Sequence, residues 1–490
     1  MKLKPIVRKI LFTYLSQAII LVAFFYVYRL IGIHFGPKGV GEYSLVKQVI
    51  GVLNPLLLLG LGMGLPRYVA MARNKEQRSA YIKAGWAAAI FTLIFLIVIN
   101  VAKESFVKIF FGSIKYIHLV LPFSLFLAGF VIHNIVYSYF RGRLWAKTFG
   151  LFQVINIALV PLIVLIFFKD ITIDRLITLI GIITFAISLV FSLFFARELF
   201  MPVGKMQLRS SLKDLFRYSI LRIPGSFVLV GFFSLGPIFA AHFVPIEEVG
   251  YLSVSQRLLS LGATAIAPLG LILLPKVSSM IIQKRYSEIK ENLNYLINAS
   301  IQLSIFISFQ LILFADTIIY YWLGPEFLDA APIMRIVSCS IFFYLFYRTV
   351  GSIIDATKTR PINTINLAIS MGLFLVSSGL LSIIKIFPII INLSIGFASG
   401  LICLGVLTYI SIRRMYPKNL GKDLRHFFVA IAINIVFTGI IILVKPFVAS
   451  RFYYLVIFEI FIGALYIFIL WWLKTGWLRK IPENILLKTI

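Results

Sequence analysis

Turns divide this chain into about fourteen apolar runs of roughly 18 to 24 residues, and no fold in water could bury so many. The runs fall near 11–33, 43–65, 84–101, 119–140, 149–168, 176–196, 218–241, 250–273, 295–315, 332–354, 362–384, 388–411, 427–444 and 453–473. At about 1.5 Å per residue, each suffices as a helix to cross a hydrocarbon core about 30 Å thick. Lipid offers no partner for a backbone N–H or C=O, so a spanning segment must pair its own. The pattern therefore dictates an all-α polytopic membrane protein with about 14 transmembrane helices. Of the 490 residues, 60% are hydrophobic and 13% charged, too few polar groups to cover a water-soluble domain.

A formal net charge of +29 would point to nucleic acid in a soluble chain, but here its placement has another cause. Assigning the N-terminus and every second loop to one side collects most of the 47 Lys and Arg there. That asymmetry is the positive-inside pattern, and it predicts a multi-pass protein of the cytoplasmic (inner) membrane with both termini in the cytoplasm. Basic loops such as RELFMPVGKMQLRSSLKDLFR read as topology determinants lying against anionic lipid. Membrane lipids are the expected partners, and nucleic acid is not. The first run contains Arg29 and meets no small-residue cleavage site, so it reads as the first helix, not a signal peptide. Cys339 and Cys403 lie in apolar runs and supply no disulfide framework.

The chain repeats itself weakly. Gly41, Ser44, Pro66 and Arg67 match Gly250, Ser253, Pro275 and Lys276 at an offset of 209. Pro122, Tyr137, Ala146 and Asn156 match Pro332, Tyr347, Ala356 and Asn366 at 210. One residue of slippage brings His34, Phe35 and Pro37 onto His242, Phe243 and Pro245. An even number of spans per repeat preserves orientation, so the repeat predicts two pseudo-symmetric six-helix lobes. Residues 1–200 form the N-terminal lobe (helices 1–6), 201–217 a cytoplasmic linker and 218–415 the C-terminal lobe (helices 7–12). Residues 416–490 add helices 13 and 14 and a tail.

Ionisable groups inside a span cost about 2.5–3.5 kcal/mol each at mid-bilayer, so each needs a reason. Arg29, Lys47 and Arg257 are the candidates for a water-filled central cavity, where they would grip an anion by charge-assisted hydrogen bonds. For Arg29, Lys47 and Arg335 the competing reading is snorkelling to the outer headgroups. Arg348 reads as a snorkelling or positive-inside residue, and Glu459 either pairs with a cation or sits near the outer surface. Gln48, Asn54, Asn156 and Asn366 are candidate wall residues of the same cavity, with Asn134, Gln153 and Asn363 beside them. Such amides also serve to bond helix to helix. The glycines at 60, 62 and 64 before Pro66, and Pro268 with Pro275, mark bends that would let two halves rock.

No catalytic constellation, metal-ligand spacing or phosphate loop is present in the sequence, so the chain reads as a transporter and not an enzyme. Its longest outward loops, Lys103–His118 and Asp316–Ala331, are too short for the domain that membrane-embedded glycosyltransferases, polymerases and ligases carry. No cofactor is expected, and a driving force from a Na+ or H+ gradient stays open.

The stretch GPKGVGEYSLVKQVIGVLNPLLLLGLGMGLPRYVA resembles the first block of Wzx-like polysaccharide and oligosaccharide flippases. These belong to the superfamily that also holds MurJ-type lipid II flippases and MATE exporters. The resemblance implies a V-shaped, two-lobed fold that moves a polyprenyl-(pyro)phosphate-linked oligosaccharide from the cytoplasmic to the outer leaflet by alternating access. It implies the functional cations of helices 1, 2 and 8 at Arg29, Lys47 and Arg257, with Lys47 a departure from arginine. It also implies a lipid tail held by helices 13 and 14, and glycan polymerase or glycosyltransferase partners. Lipid II and small molecules are the alternative substrates. The acid of helix 1 that MATE exporters use is missing, since Ile10–Phe35 holds no Asp or Glu.

Overall fold

The computed structural model describes residues 5–168, 170–195, 197–260, 283, 286–357, 361–416 and 420–473. Among them there is no strand, and helix dominates throughout. Among the described residues eleven helices are long and apolar enough to span a bilayer, twelve with a pair bent by 47° near Ser340. The span expected at 250–273 lies largely outside the described residues, as do Pro268, Pro275 and Lys276.

The chain divides into two compact units, Arg8–Val254 and a second beginning at Ser255. The first begins with α1 (Pro5–Leu57), a helical run of 53 residues broken at Gly36 (φ 63°, ψ −167°), a conformation open to glycine, with Pro37 next. The two sides of the break fold back on each other. The Tyr28 and Tyr43 ring centroids are 5.7 Å apart, whereas 15 residues of straight helix would separate them by about 22 Å. α1 is thus the two spans expected at 11–33 and 43–65. A turn with positive φ at Leu59 and Gly60 then starts α2 (Leu61–Met71), placing the expected break within the glycine run.

The rest of this unit comprises α3 (Lys75–Val101), α4 (Lys103–Phe110), α5 (Val120–Gly142), α6 (Ala146–Gln153), α7 (Val160–Phe167), α8 (Ile173–Phe195), α9 (Lys205–Ile220), α10 (Ile223–Ala240) and the start of α11, helical over 246–260, whose residues from Ser255 on belong to the second unit. A π-helical turn, Val154–Leu159, joins α6 to α7. α9 buries Ser211, Leu215 and Ser219 on one face and exposes Lys213, Asp214 and Arg217 on the other, the pattern of a helix lying at headgroup level. α10 packs with this unit: Gln48 accepts a hydrogen bond from Ser234 Oγ at 2.9 Å, and Gly51 faces Val230 and Ser234. The division by contact falls at Val254, and helix 7 (α10) packs on the first six.

Gly41 and Gly250, matched by the repeat, meet directly. A Cβ on Gly250 would lie 3.0 Å from Gly41 N, and one on Gly41 would collide with the Ile246 carbonyl. Two helices cross here with backbones in contact, as small residues permit in membranes.

The second unit holds α12 (Tyr286–Leu313), α13 (Ala315–Trp322), α14 (Ala330–Ser338), α15 (Ile341–Thr357), α16 (Ile362–Ile384), α17 (Ile389–Met415), α18 (Leu420–Val448) and α19 (Phe452–Trp472). Ile289, Leu293, Ile297, Ile301 and Ile305 recur every fourth residue on α12 and pack against Phe346, Val350, Ile353 and Ile354 of α15 and Ile412 of α17. α18 and α19 join α12 through Phe314, Phe437, Ile441 and Tyr466, whose hydroxyl donates to the Gln302 carbonyl at 2.8 Å. α19 spans about 31 Å, with Tyr453 and Tyr454 at one end and Trp471 and Trp472 at the other, all exposed. The length and the paired aromatics match a bilayer and its two interfaces.

Candidate functional site

In the first unit, Arg29 is exposed on the first half of α1, and Lys47 is half-buried on the second half. Lys47 Nζ lies 5.0 Å from the Tyr43 ring centroid and 5.9 Å from that of Tyr28, and both tyrosines are buried. Ser44 Oγ donates to Tyr28 Oη at 3.4 Å. The fold-back at Gly36 assembles this cage, since Tyr28 and Tyr43 belong to opposite arms. Each ring supports the ammonium by about 0.5–2 kcal/mol, rising as water is excluded.

The amides divide. Gln48, Asn156 and Asn366 are buried and engaged with neighbouring helices. Gln48 bonds Ser234; Asn156 Nδ2 lies 2.9 Å from His133 Nδ1 and donates to Ser188 Oγ at 3.3 Å; Asn366 Nδ2 donates to Ser411 Oγ at 3.1 Å. All three make helix-to-helix bonds, the other role that amides within a span serve. Asn54 is half-buried, facing Asn134 at 3.5 Å, and Gln153 accepts from Gln17 Nε2 at 3.0 Å.

The second unit brings together two arginines that the sequence separates. Arg257, near the end of the described part of α11, and Arg348 of α15 both act electrostatically on the buried hydroxyl of Tyr344. Each is half-buried, and the Nε of each is buried without a hydrogen-bond partner among the described residues. Arg348 acts from one turn further along α15 and Arg257 from α11. Gln256, the repeat equivalent of Lys47, is fully buried with both amide atoms unpartnered. An unpartnered buried polar atom costs about 1–3 kcal/mol, so the Nε–H groups of Arg257 and Arg348 favour a ligand that accepts hydrogen bonds.

Three acids escaped the sequence reading. Glu42 is buried with Oε2 3.8 Å from His118 Nε2. Glu198, just after α8, accepts from Arg78 Nε (3.0 Å), Arg143 Nη1 (2.6 Å) and Tyr139 Oη (2.7 Å). Burial pushes its carboxyl up, but those hydrogen bonds outweigh burial and hold it below the usual range. Asp316 pairs with Lys445 Nζ at 2.9 Å and Arg335 Nη2 at 3.1 Å. Arg335 therefore has a carboxylate partner, while Glu459 is half-buried on α19. A signal existed for each, an isolated acid in a basic chain, but the partners are distant in sequence. Asp316→Asn is expected to cost under about 1 kcal/mol in thermal unfolding and to do so only at low salt, because the pair is well exposed. A larger loss at high salt would contradict that ranking.

A cavity of about 580 Å³ opens at the α18–α19 turn, lined by Phe447, Ser450, Tyr454, Ile457, Phe458 and Phe461 among others. Among the described residues no cluster of His, Cys, Asp and Glu is arranged to hold a metal.

No known family profile matches the chain, and no curated relative does. Solved structures do match, at identities that speak to fold alone. The lipid II flippase MurJ in an inward closed conformation shares 17% identity at a TM-score of 0.70, over 94% of this chain and 97% of that one. An inward-facing multidrug resistance MATE family transporter of the MOP superfamily shares 16% at 0.68, over 81% of this chain and 94% of that one. A MOP superfamily transporter from Pyrococcus furiosus, described by the reversed polarity of its binding pocket, shares 16% at 0.53, over 87% and 95%. The chain has the fold of MOP superfamily transporters.

Proposed function

We propose that this multi-pass membrane protein flips a polyprenyl-(pyro)phosphate-linked oligosaccharide from the cytoplasmic to the outer leaflet by alternating access, for surface glycan synthesis. The observation that carries the reading is the pair Arg257 and Arg348, each with a buried, unpartnered Nε inside apolar helices. Two guanidinia so placed favour an anion with several acceptor oxygens, which a pyrophosphate supplies and a cationic drug does not. Lys47 in its tyrosine cage and Arg29 add positive charge of the same sense in the first unit. The apolar cavity at the α18–α19 turn supports a place for part of a polyprenyl tail. Transport would be driven by a substrate gradient or by coupled ions.

The test is translocation of a fluorescent polyprenyl-pyrophosphate oligosaccharide in proteoliposomes. Arg257→Gln and Arg348→Gln are each expected to lower the rate at least tenfold with the fold intact. Undiminished transport in both would remove the anion site. A second reading, a lipid II flippase, is favoured by the more complete coverage of MurJ than of the MATE structures. Faster flipping of lipid II than of any surface-glycan precursor would select it.

A further inference from the structure

The first unit holds a pair of guanidinia of its own. Arg67 of α2 donates from Nη1 to Tyr218 Oη at 2.9 Å, and its Cζ lies 4.4 Å from the Tyr218 ring centroid. Arg222, between α9 and α10, places its Cζ 3.7 Å from the same centroid. Among the described residues neither guanidinium pairs with a carboxylate; the ion pairs of this unit involve Arg78, Arg143 and His118. Asp214, one helical turn before Tyr218, is exposed and makes no ion pair with either. Tyr68 and Tyr81 continue the aromatic face, Tyr68 stacking edge-on to Tyr218 at 5.7 Å.

Two like charges drawn to one tyrosine repel each other, and stacking on its ring only partly offsets that. A shared anion removes the repulsion. The two guanidinium carbons are at most about 8 Å apart, and a phosphate bound to both by charge-assisted hydrogen bonds sits roughly 4 Å from each. Arg67 is exposed, so the pair is open to a ligand. Its depth is set by α9, whose basic exposed face and exposed Met206, Ile220 and Leu221 fit the headgroup layer. Arg73, Lys75, Lys213 and Arg217, all exposed on the neighbouring stretches, add a positive field.

We propose that Arg67 and Arg222, braced on Tyr218, form a loading site for a lipid-borne phosphate at the basic end of the first unit. The binding claim stands on this geometry, and the use of the site to load cargo rests on the transport reading above. The phosphate belongs either to an isoprenoid carrier or to a bilayer phospholipid, and the two are separable.

The experiment is native mass spectrometry of the full chain released from detergent micelles, with geranylgeranyl phosphate, phosphatidylglycerol or inorganic phosphate added in turn. Retention of a lipid adduct is compared between wild type, Arg67→Gln/Arg222→Gln and a control of equal charge loss, Arg73→Gln/Lys75→Gln. The expected result is at least a tenfold loss of adduct in the first double variant and less than twofold in the control. Tyr218→Phe, which keeps the ring and frees Arg67, is expected to fall between, and Arg67→Lys/Arg222→Lys to regain part of the loss. Loss confined to geranylgeranyl phosphate assigns the site to the carrier; loss confined to phosphatidylglycerol assigns it to the bilayer. Equal loss in both double variants, no loss in either, or loss with inorganic phosphate alone overturns it. Because binding is read without transport, failure of this site and failure of the flippase reading remain distinct.

Discussion

Gly41→Val is expected to prevent the first unit from folding stably, with a loss of about 3 kcal/mol or more. Overpacking a core usually costs about 1–3 kcal/mol because side chains can shift. Here the nearest obstructing atoms are the carbonyl oxygen and carbon of Ile246, backbone that cannot rotate away. The helices would have to separate, and Gln48 would lose register with Ser234 on α10. Thermal unfolding in detergent checks this, with Gly62→Val as control, since a Cβ at Gly62 meets nothing within 4 Å. Wild-type stability in Gly41→Val would refute the close crossing.

Glu198→Gln is expected to be the most damaging single charge removal in the first unit, at about 3 kcal/mol. The residue is 7% exposed and is the shared acceptor for Arg78, Arg143 and Tyr139. Removing one partner of a buried pair leaves the other charge uncompensated, at about 3–5 kcal/mol; the partly exposed arginines argue for the lower end. The pH dependence follows from the carboxyl being held below its unfolded value of about 4.3. Its stabilisation is complete above that value and is lost as pH falls through the lower folded-state pKa. The gap in melting temperature between wild type and Glu198→Gln should therefore be constant from pH 8 to pH 5 and narrow in more acid solution. A gap that widens on acidification would mean that the carboxylate is not the charged acceptor the geometry shows.

The cations and amides of the candidate site were legible to different degrees. Arg257 and Lys47 stand out in sequence because a charge in an apolar run is expensive. Arg348 stands out equally, yet its position near a helix end matched snorkelling. Only the approach of the described part of α11 to α15 brings Arg257 to Tyr344, one helical turn before Arg348 on the same helix. Gln48, Asn156 and Asn366 each bond to another helix: polarity in a span marks a partner but does not say whether the partner is another helix or a ligand. Glu198 stood out only as an isolated acid in a basic chain, since its partners Arg78 and Arg143 lie 120 and 55 residues away.

The sequence by itself determined the solvent, the helical class and the approximate span pattern. Those follow from the length and polarity of each run, which are local properties that lipid enforces segment by segment. It also determined that Gly41 and Gly250 are equivalent, through the repeat. Tertiary structure alone decided that these two glycines touch, that helix 7 packs with the first six, and which charges share an environment. Each of those depends on which helix faces meet, and a bilayer, as apolar as the faces themselves, leaves that choice to packing and hydrogen bonds between residues far apart in the chain.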